Sequence, residues 1–137
     1  MKRIFVDTNI IVDLIADRKP FSKYAIELFS KAEEGDIQLF ASSHSIATTH
    51  YLLKKYIEES DLREILNSLL DYLNIIPIDI SILKRGFKSK HKDFEDALQI
   101  ISATTVENID CIVTRNIKDF RDSEILVLPP DELSMKL

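Results

Sequence analysis

Oxygen-rich side chains fall in three separated stretches of the 137-residue chain: Asp7-Thr8-Asn9, Asp93-Phe94-Glu95-Asp96, and Thr114-Arg115-Asn116 with Asp119 behind it. Carboxylates brought together hold hard divalent cations such as Mg²⁺ or Mn²⁺. An ion of that kind activates water against a phosphodiester, so the chain reads as a small metal-dependent nuclease. Each stretch also has an ordinary structural explanation. Asp7 and Asn9 after an apolar run serve equally as helix caps or turn residues. Asp93 and Asp96 are three apart, which puts their Cβ atoms about 5–6 Å apart on one helical face. The same spacing suits a capping pair at a helix N-terminus, where acids are favoured. Asn116 either caps a turn or, with Asp119, reaches an ion directly or through water. Asp96 is followed by the mostly apolar Ala97-Leu98-Gln99-Ile100-Ile101-Ser102-Ala103. That run buries the helix and turns its acidic end toward a crevice.

No competing soft-metal site is present. Cys111 is the one cysteine, and His44, His50 and His91 lack zinc-ligand spacing. Lys84, Arg85, Lys88, Lys90, His91 and Lys92 run up to Asp93. Such a run is either a solvated surface or a positive rim against phosphate, with Lys88, Lys90, Lys92 and Arg115 as the candidate contacts. Lys118 and Arg121 extend it. The net charge of −5 excludes a molecule that binds nucleic acid by overall charge. It is compatible with an enzyme whose metal offsets its own carboxylates.

For these stretches to meet, the elements around them must converge. Strands are expected at Ile4–Val6, Ile37–Ala41, Asn74–Ile78, Cys111–Val113 and Ile125–Leu128, with helices between them. Thr8 or Asn9 caps the first helix, Pro20 opens the second, and Gly35 closes it. A third helix spans about His44 to Glu58. A fourth, capped by Ser60 or Asp61, carries the stripe Leu62, Ile65, Leu66, Leu69, Leu70 and Leu73. Asp79 or Ser81 starts a fifth, which ends at Gly86 or Ser89. Asp93 caps a long helix to about Glu107, and a last turn follows Pro129-Pro130. Alternating strands and helices imply an α/β fold with a parallel sheet covered on both faces. Ligands bind beyond the carboxyl ends of such strands, where Asp7, Asn116 and the Ser42-Ser43 region all fall.

The length suits a single domain over residues 1–137. A 45% hydrophobic content, two glycines and four prolines leave no room for long disordered linkers. Lone Cys111 cannot form an internal disulfide, which fits a reducing, cytoplasmic location. Three apolar residues after Met1-Lys2-Arg3 make no signal peptide. No stretch approaches the roughly 18 apolar residues that span a bilayer, so no membrane partner is expected.

The motifs Ile4-Phe5-Val6-Asp7-Thr8-Asn9-Ile10-Ile11-Val12-Asp13, Asp93-Phe94-Glu95-Asp96-Ala97-Leu98-Gln99 and Ile112-Val113-Thr114-Arg115-Asn116-Ile117-Lys118-Asp119-Phe120 carry a resemblance. Together with Val127-Leu128-Pro129-Pro130-Asp131-Glu132-Leu133 they resemble the PIN domain, in the small prokaryotic group that includes VapC-type toxins. The resemblance covers nearly the whole chain. It implies a three-layer α/β/α sandwich with a central parallel sheet of four to five strands, and a Mg²⁺- or Mn²⁺-dependent ribonuclease. It also implies an RNA substrate, an antitoxin protein partner and a homodimer. Asp7 would be the first metal-binding acid, Asp96 the third and Asp93 a supporting one. The fourth position falls at Asn116, with Asp119 as a substitute. Asn9, Thr48 and Thr114 would support the site. Relatives usually carry Glu or Asp at the second acidic position, where this chain has Thr48, so weaker divalent binding is expected.

Two rival readings follow. One is a catalytically weak PIN fold that binds RNA or protein, supported by Thr48 and Asn116. The other is a phosphotransferase of the haloacid-dehalogenase kind. Those enzymes need a second acid two residues after the first, and Asn9 stands there instead.

Overall fold

Ile4, Phe5 and Val6 are fully buried, as a strand covered on both faces requires. The computed structural model describes residues 1–137. Its elements are β1 (Lys2–Val6), α1 (Thr8–Ala16), α2 (Ser22–Glu33), β2 (Ile37–Ser42), α3 (Ser43–Leu53), α4 (Glu59–Leu69) and β3 (Leu73–Ile76). Then come α5 (Ile80–Lys88), α6 (Phe94–Thr104), β4 (Cys111–Val113), a 3-10 turn (Ile117–Phe120), β5 (Val127–Leu128) and α7 (Pro130–Lys136).

The five strands form one sheet in the order β3-β2-β1-β4-β5, and every neighbouring pair is parallel. Alternation of side chains along β1 divides the core. Ile4 and Val6 pack with Leu39, Ala41 and Val113 against residues of α1, α2, α4 and α7. Phe5, Phe40 and Ile112 face the other way, onto Ile100 and Ala103 of α6 and onto Phe120. Ile82 of α5 joins Leu98 and Ile101 of α6 on that side. The expected three-layer α/β/α sandwich is what the chain forms. No helix is long and apolar enough to cross a membrane.

The strand order has a consequence for function. From β1 the chain winds outward through β2 to β3, then returns to place β4 on the opposite side of β1. The reversal opens a crevice at the carboxyl ends of β1 and β4. Asp7 follows the first of these strands and Thr114 the second. A hydrogen bond from Asp7 N to Val113 O, 3.0 Å, fixes the two ends beside each other.

Several boundaries differ from the sequence expectation. Asp7 itself caps α1, accepting from Thr8 N, where Thr8 or Asn9 was expected. Pro20 lies before α2, which begins at Ser22, while Gly35 takes the left-handed conformation (φ 83°) that ends it. α3 stops at Leu53, and Glu58, with a ψ of 140°, caps α4 with its carboxylate, displacing Ser60 and Asp61 from that role. Leu73 leaves the α4 stripe to pair with Leu39 in the sheet. α6 ends at Thr104, three residues early. The hydroxyls of Thr104 and Thr105 turn back onto the carbonyls of Ile101 and Ser102 at 2.6 and 2.7 Å. Asn108 then reverses the chain with φ 57°.

Candidate active site

The carboxyl edge of the sheet carries a cleft of about 230 Å³ lined mainly by polar side chains. Four elements build most of its wall. The start of α1 supplies Asp7, Thr8 and Asn9; α3 supplies His44 and Thr48; α6 supplies Glu95, Asp96 and Gln99; the segment after β4 supplies Asn116.

Asp7 is 6% exposed, and every contact to its carboxylate is a donor. Thr8 N (2.8 Å) and Gln99 Nε2 (3.1 Å) bond Oδ1. Thr114 Oγ1 (2.7 Å) and Asn9 Nδ2 (3.3 Å) bond Oδ2. Such donors fix the orientation of the carboxylate. Thr114 also accepts from Asn116 N at 3.0 Å, which ties Asn116 to the Asp7 scaffold.

Gln99 holds the network together, and sequence reading did not single it out. Its Nε2 donates to Ser45 Oγ at 2.7 Å, and its Oε1 accepts from Ser42 Oγ at 2.6 Å. α6 is thereby tied to the end of β2, the start of α3 and Asp7 together. The signal was a long amide inside the apolar run 97–103, since a buried amide must find partners for all its polar atoms.

Asp96 enters the cleft from the first turn of α6. Burial, then the charges of Asp93, Asp7, Asp119 and Glu95, push its carboxyl up to about 7. Neither Asp7 nor Asp96 forms an ion pair, so negative charge accumulates here. Asp93 and Asp119 contribute to that field yet stand outside the wall of the cleft. Asp93 caps α6, with Oδ1 accepting from Asp96 N at 3.0 Å. Asp119 lies in the 3-10 turn after Asn116. No three Asp, Glu, His or Cys side chains come together as an ion's ligand set. The expected four-acid cluster is accordingly reduced to Asp7 and Asp96, with Asn116 alongside. That donor set fits a small hard cation, because Mg²⁺ uses one or two carboxylates and keeps several waters.

Thr48 does line the cleft, where the resemblance placed the second acid. Its hydroxyl shares a 3.3 Å contact with His44 Nε2, which also faces Glu95 at 3.3 Å. The cations are placed differently from expectation. Lys88, Lys90 and Lys92 do not line the cleft. Arg115 is occupied elsewhere: its Nε and Nη2 grip buried Asp13 at 2.7 and 3.0 Å, and its guanidinium lies 4.1 Å over the Phe21 ring. The arginine that does reach the cleft is Arg18. It is absent from the molecule's four ion pairs and was not singled out from the sequence.

Removing the Arg115 guanidinium leaves the Asp13 carboxylate, 1% exposed, without its partner. Breaking a buried pair in this way costs about 3–5 kcal/mol. Arg115→Ala should lower the urea midpoint accordingly. A midpoint equal to wild type would show that the pair is not structural.

Comparison with known proteins agrees with this fold. The chain is 29% identical to Ribonuclease VapC1 of Aquifex aeolicus (strain VF5), over 96% of this chain and 92% of that protein. Among solved structures it is similar to a toxin-antitoxin complex from Klebsiella pneumoniae, with 27% identity and a TM-score of 0.67 over 93% of this chain and 97% of that one. The fold also matches VapBC2 from Rickettsia felis bound to a promoter DNA fragment, at 21% identity and a TM-score of 0.68 over 93% and 98%. A model of the PIN domain matches residues 3–118, a span that takes in Asp7, Asp96, Gln99 and Asn116. With the fold and this match in agreement, the chain belongs to the PIN domain family.

Proposed function

We propose that the protein is a divalent-metal-dependent ribonuclease that hydrolyses RNA phosphodiester bonds in the cytoplasm, as the toxin of a toxin–antitoxin pair. The observation that carries this reading is the meeting of Asp7 and Asp96, from separate elements, in one polar cleft at the sheet's switch point. The ribonuclease name of the Aquifex relative and the toxin–antitoxin context of the Klebsiella structure support it. An antitoxin protein and a second copy of the chain are the proposed partners.

Asp7, Asp96 and Asn116 would hold Mg²⁺ or Mn²⁺, with Asp93 and Asp119 adding negative potential and reaching it through water. Bound there, the ion supplies a polarised phosphate and a water acidic enough to attack phosphorus. Gln99, Thr114, Asn9 and Thr8 keep the Asp7 carboxylate aimed, so little reorganisation is needed when substrate arrives. Arg18, unpaired at the cleft wall, draws the substrate phosphate toward an otherwise acidic site. Asp96, with its carboxyl raised to about 7, would have to give up its proton to hold a cation.

A calorimetric Mn²⁺ titration with a parallel assay on labelled RNA tests the proposal. The expected result is Mn²⁺ binding together with cleavage that EDTA abolishes. Neither binding nor cleavage would sink the enzyme reading in favour of a catalytically weak PIN fold that binds RNA or protein. That second reading is favoured by Thr48, an uncharged residue on the cleft wall.

Thr48→Glu follows from the same position. A carboxylate about 4 Å from a cation contributes more than about 1 kcal/mol even in high effective dielectric. Mn²⁺ should therefore bind roughly tenfold tighter or better. Unchanged or weaker binding would show that residue 48 does not face the ion.

A further inference from the structure

Around the N-terminus of α6 from the cleft lies an aromatic pair that the metal site does not use. Phe87 and Phe94 stack face to face, with ring centroids 4.7 Å apart and planes within 5°. Gly86 makes this possible. A Cβ there would meet the Phe94 ring at 3.0 Å and Leu98 at 3.1 Å, so any larger residue would push the ring off α5 by a few tenths of an ångström. Phe94 is thus pinned from beneath, and Phe87, 72% exposed, presents apolar ring surface to water. A stacked pair held rigid on two helices is pre-organised to accept a further flat ring.

The charge around this pair points to the occupant. The basic stretch 84–92 flanks Phe87, and none of its cations forms an ion pair with a carboxylate. They remain available in a chain whose net charge is −5. A second copy seated here would bring two such basic stretches face to face, which is repulsive. Single-stranded nucleic acid offers the complementary chemistry: flat bases for the aromatic face and phosphates for the lysines.

We propose that Phe87 and Phe94 form a stacking platform for an unpaired base of single-stranded RNA, whose neighbouring phosphates are held by Lys88, Lys90 and Lys92. The platform rests on the ribonuclease reading above and adds a substrate subsite to it. Phe94 opens α6 and Asp96 lies two residues on, so the platform and the cleft sit on different sides of one helix end. A strand crossing that end reaches both. The platform therefore selects single strands over duplexes, whose bases are already stacked.

The chain contains no tryptophan, so Phe87→Trp introduces a single tryptophan at the platform, excited at a wavelength where the tyrosines do not absorb. Metal-free protein in EDTA would be titrated with a short single-stranded RNA oligonucleotide, and with a blunt RNA duplex of the same sequence. Saturable quenching by the single strand, weakened by salt and absent with the duplex, is the expected result. Phe87→Ala should in parallel bind a fluorescein-labelled strand roughly tenfold more weakly by anisotropy, with unchanged melting. No quenching, or equal quenching by both probes, overturns the platform. So does wild-type affinity in Phe87→Ala accompanied by loss of a dimer in light scattering, which would make this face an interface between copies. Quenching is read without turnover: quenching with no wild-type cleavage keeps the platform and fails the nuclease, while the reverse pattern does the opposite.

Discussion

Asp7→Asn is expected to reduce RNA cleavage by at least about 100-fold while the chain still folds. Outer-sphere partners of a metal site already cost about 10- to 100-fold when removed, and in the proposed function Asp7 would hold the ion directly. The structural cost is calculable from the four donors that meet this carboxylate. An asparagine amide must turn its NH₂ toward two of them, and at the Oδ2 position these are Thr114 Oγ1 and the Asn9 amide. Thr114 Oγ1 can rotate to accept, but the mismatch still costs about 1–3 kcal/mol. A domain of this size has about 5–15 kcal/mol in hand, so the variant remains folded at 25 °C. Circular dichroism, Mn²⁺ calorimetry and cleavage measured on one preparation check this. A folded variant that cleaves within tenfold of wild type would remove Asp7 from the metal site.

The strands were readable in the sequence because burial on both faces demands continuous apolar runs. Ile4–Val6 and Cys111–Val113 fit that rule, and the polar residues after them, Asp7 and Asn116, marked the position of the cleft. Boundaries set by local capping were less legible. Glu58 displaces two better-known cap formers only because its carboxylate reaches both Ser60 Oγ and Asp61 N. The functional cations illustrate a deeper limit. Arg115 and Arg18 look alike in sequence, and Arg115 lies nearer a motif. Tertiary structure gives Arg115 the buried partner Asp13 and leaves Arg18 at the cleft. Asp93 likewise has the spacing of a ligand, but its geometry is that of a cap, and no spacing argument separates the two. Gln99 was visible as a polar residue in an apolar run, but its partners come from β2, α3 and the β1 end, which only the fold brings together.

Asp96→Asn is expected to abolish metal-dependent cleavage and, without metal, to make the protein more heat-stable at pH 8. The folded state raises the Asp96 carboxyl from an ordinary 3.8 to about 7, chiefly by burial and then by four neighbouring acids. Between those values the folded chain holds a proton that the unfolded chain has released. Folding stability therefore falls as pH rises from about 4 to about 7, and the loss is complete above 7. Asparagine keeps the shape and removes the titration. It forfeits a favourable helix-dipole contact of about 0.3–1 kcal/mol, which the relieved repulsion should exceed. Melting at pH 8 should then rise by a few degrees, on the order expected for about 1 kcal/mol in a domain this size, and the gain should vanish near pH 4. Mn²⁺ reverses the ranking, since saturation at 100 times Kd adds about 2.7 kcal/mol to wild type alone. Because the ion must displace the Asp96 proton, wild-type Mn²⁺ affinity should drop about tenfold per pH unit below 7. Melting curves across pH 4–8, with and without Mn²⁺, decide the matter. A variant less stable than wild type at pH 8 in EDTA would show that Asp96 is held by favourable contacts, and not poised in a surplus of negative charge that awaits a cation.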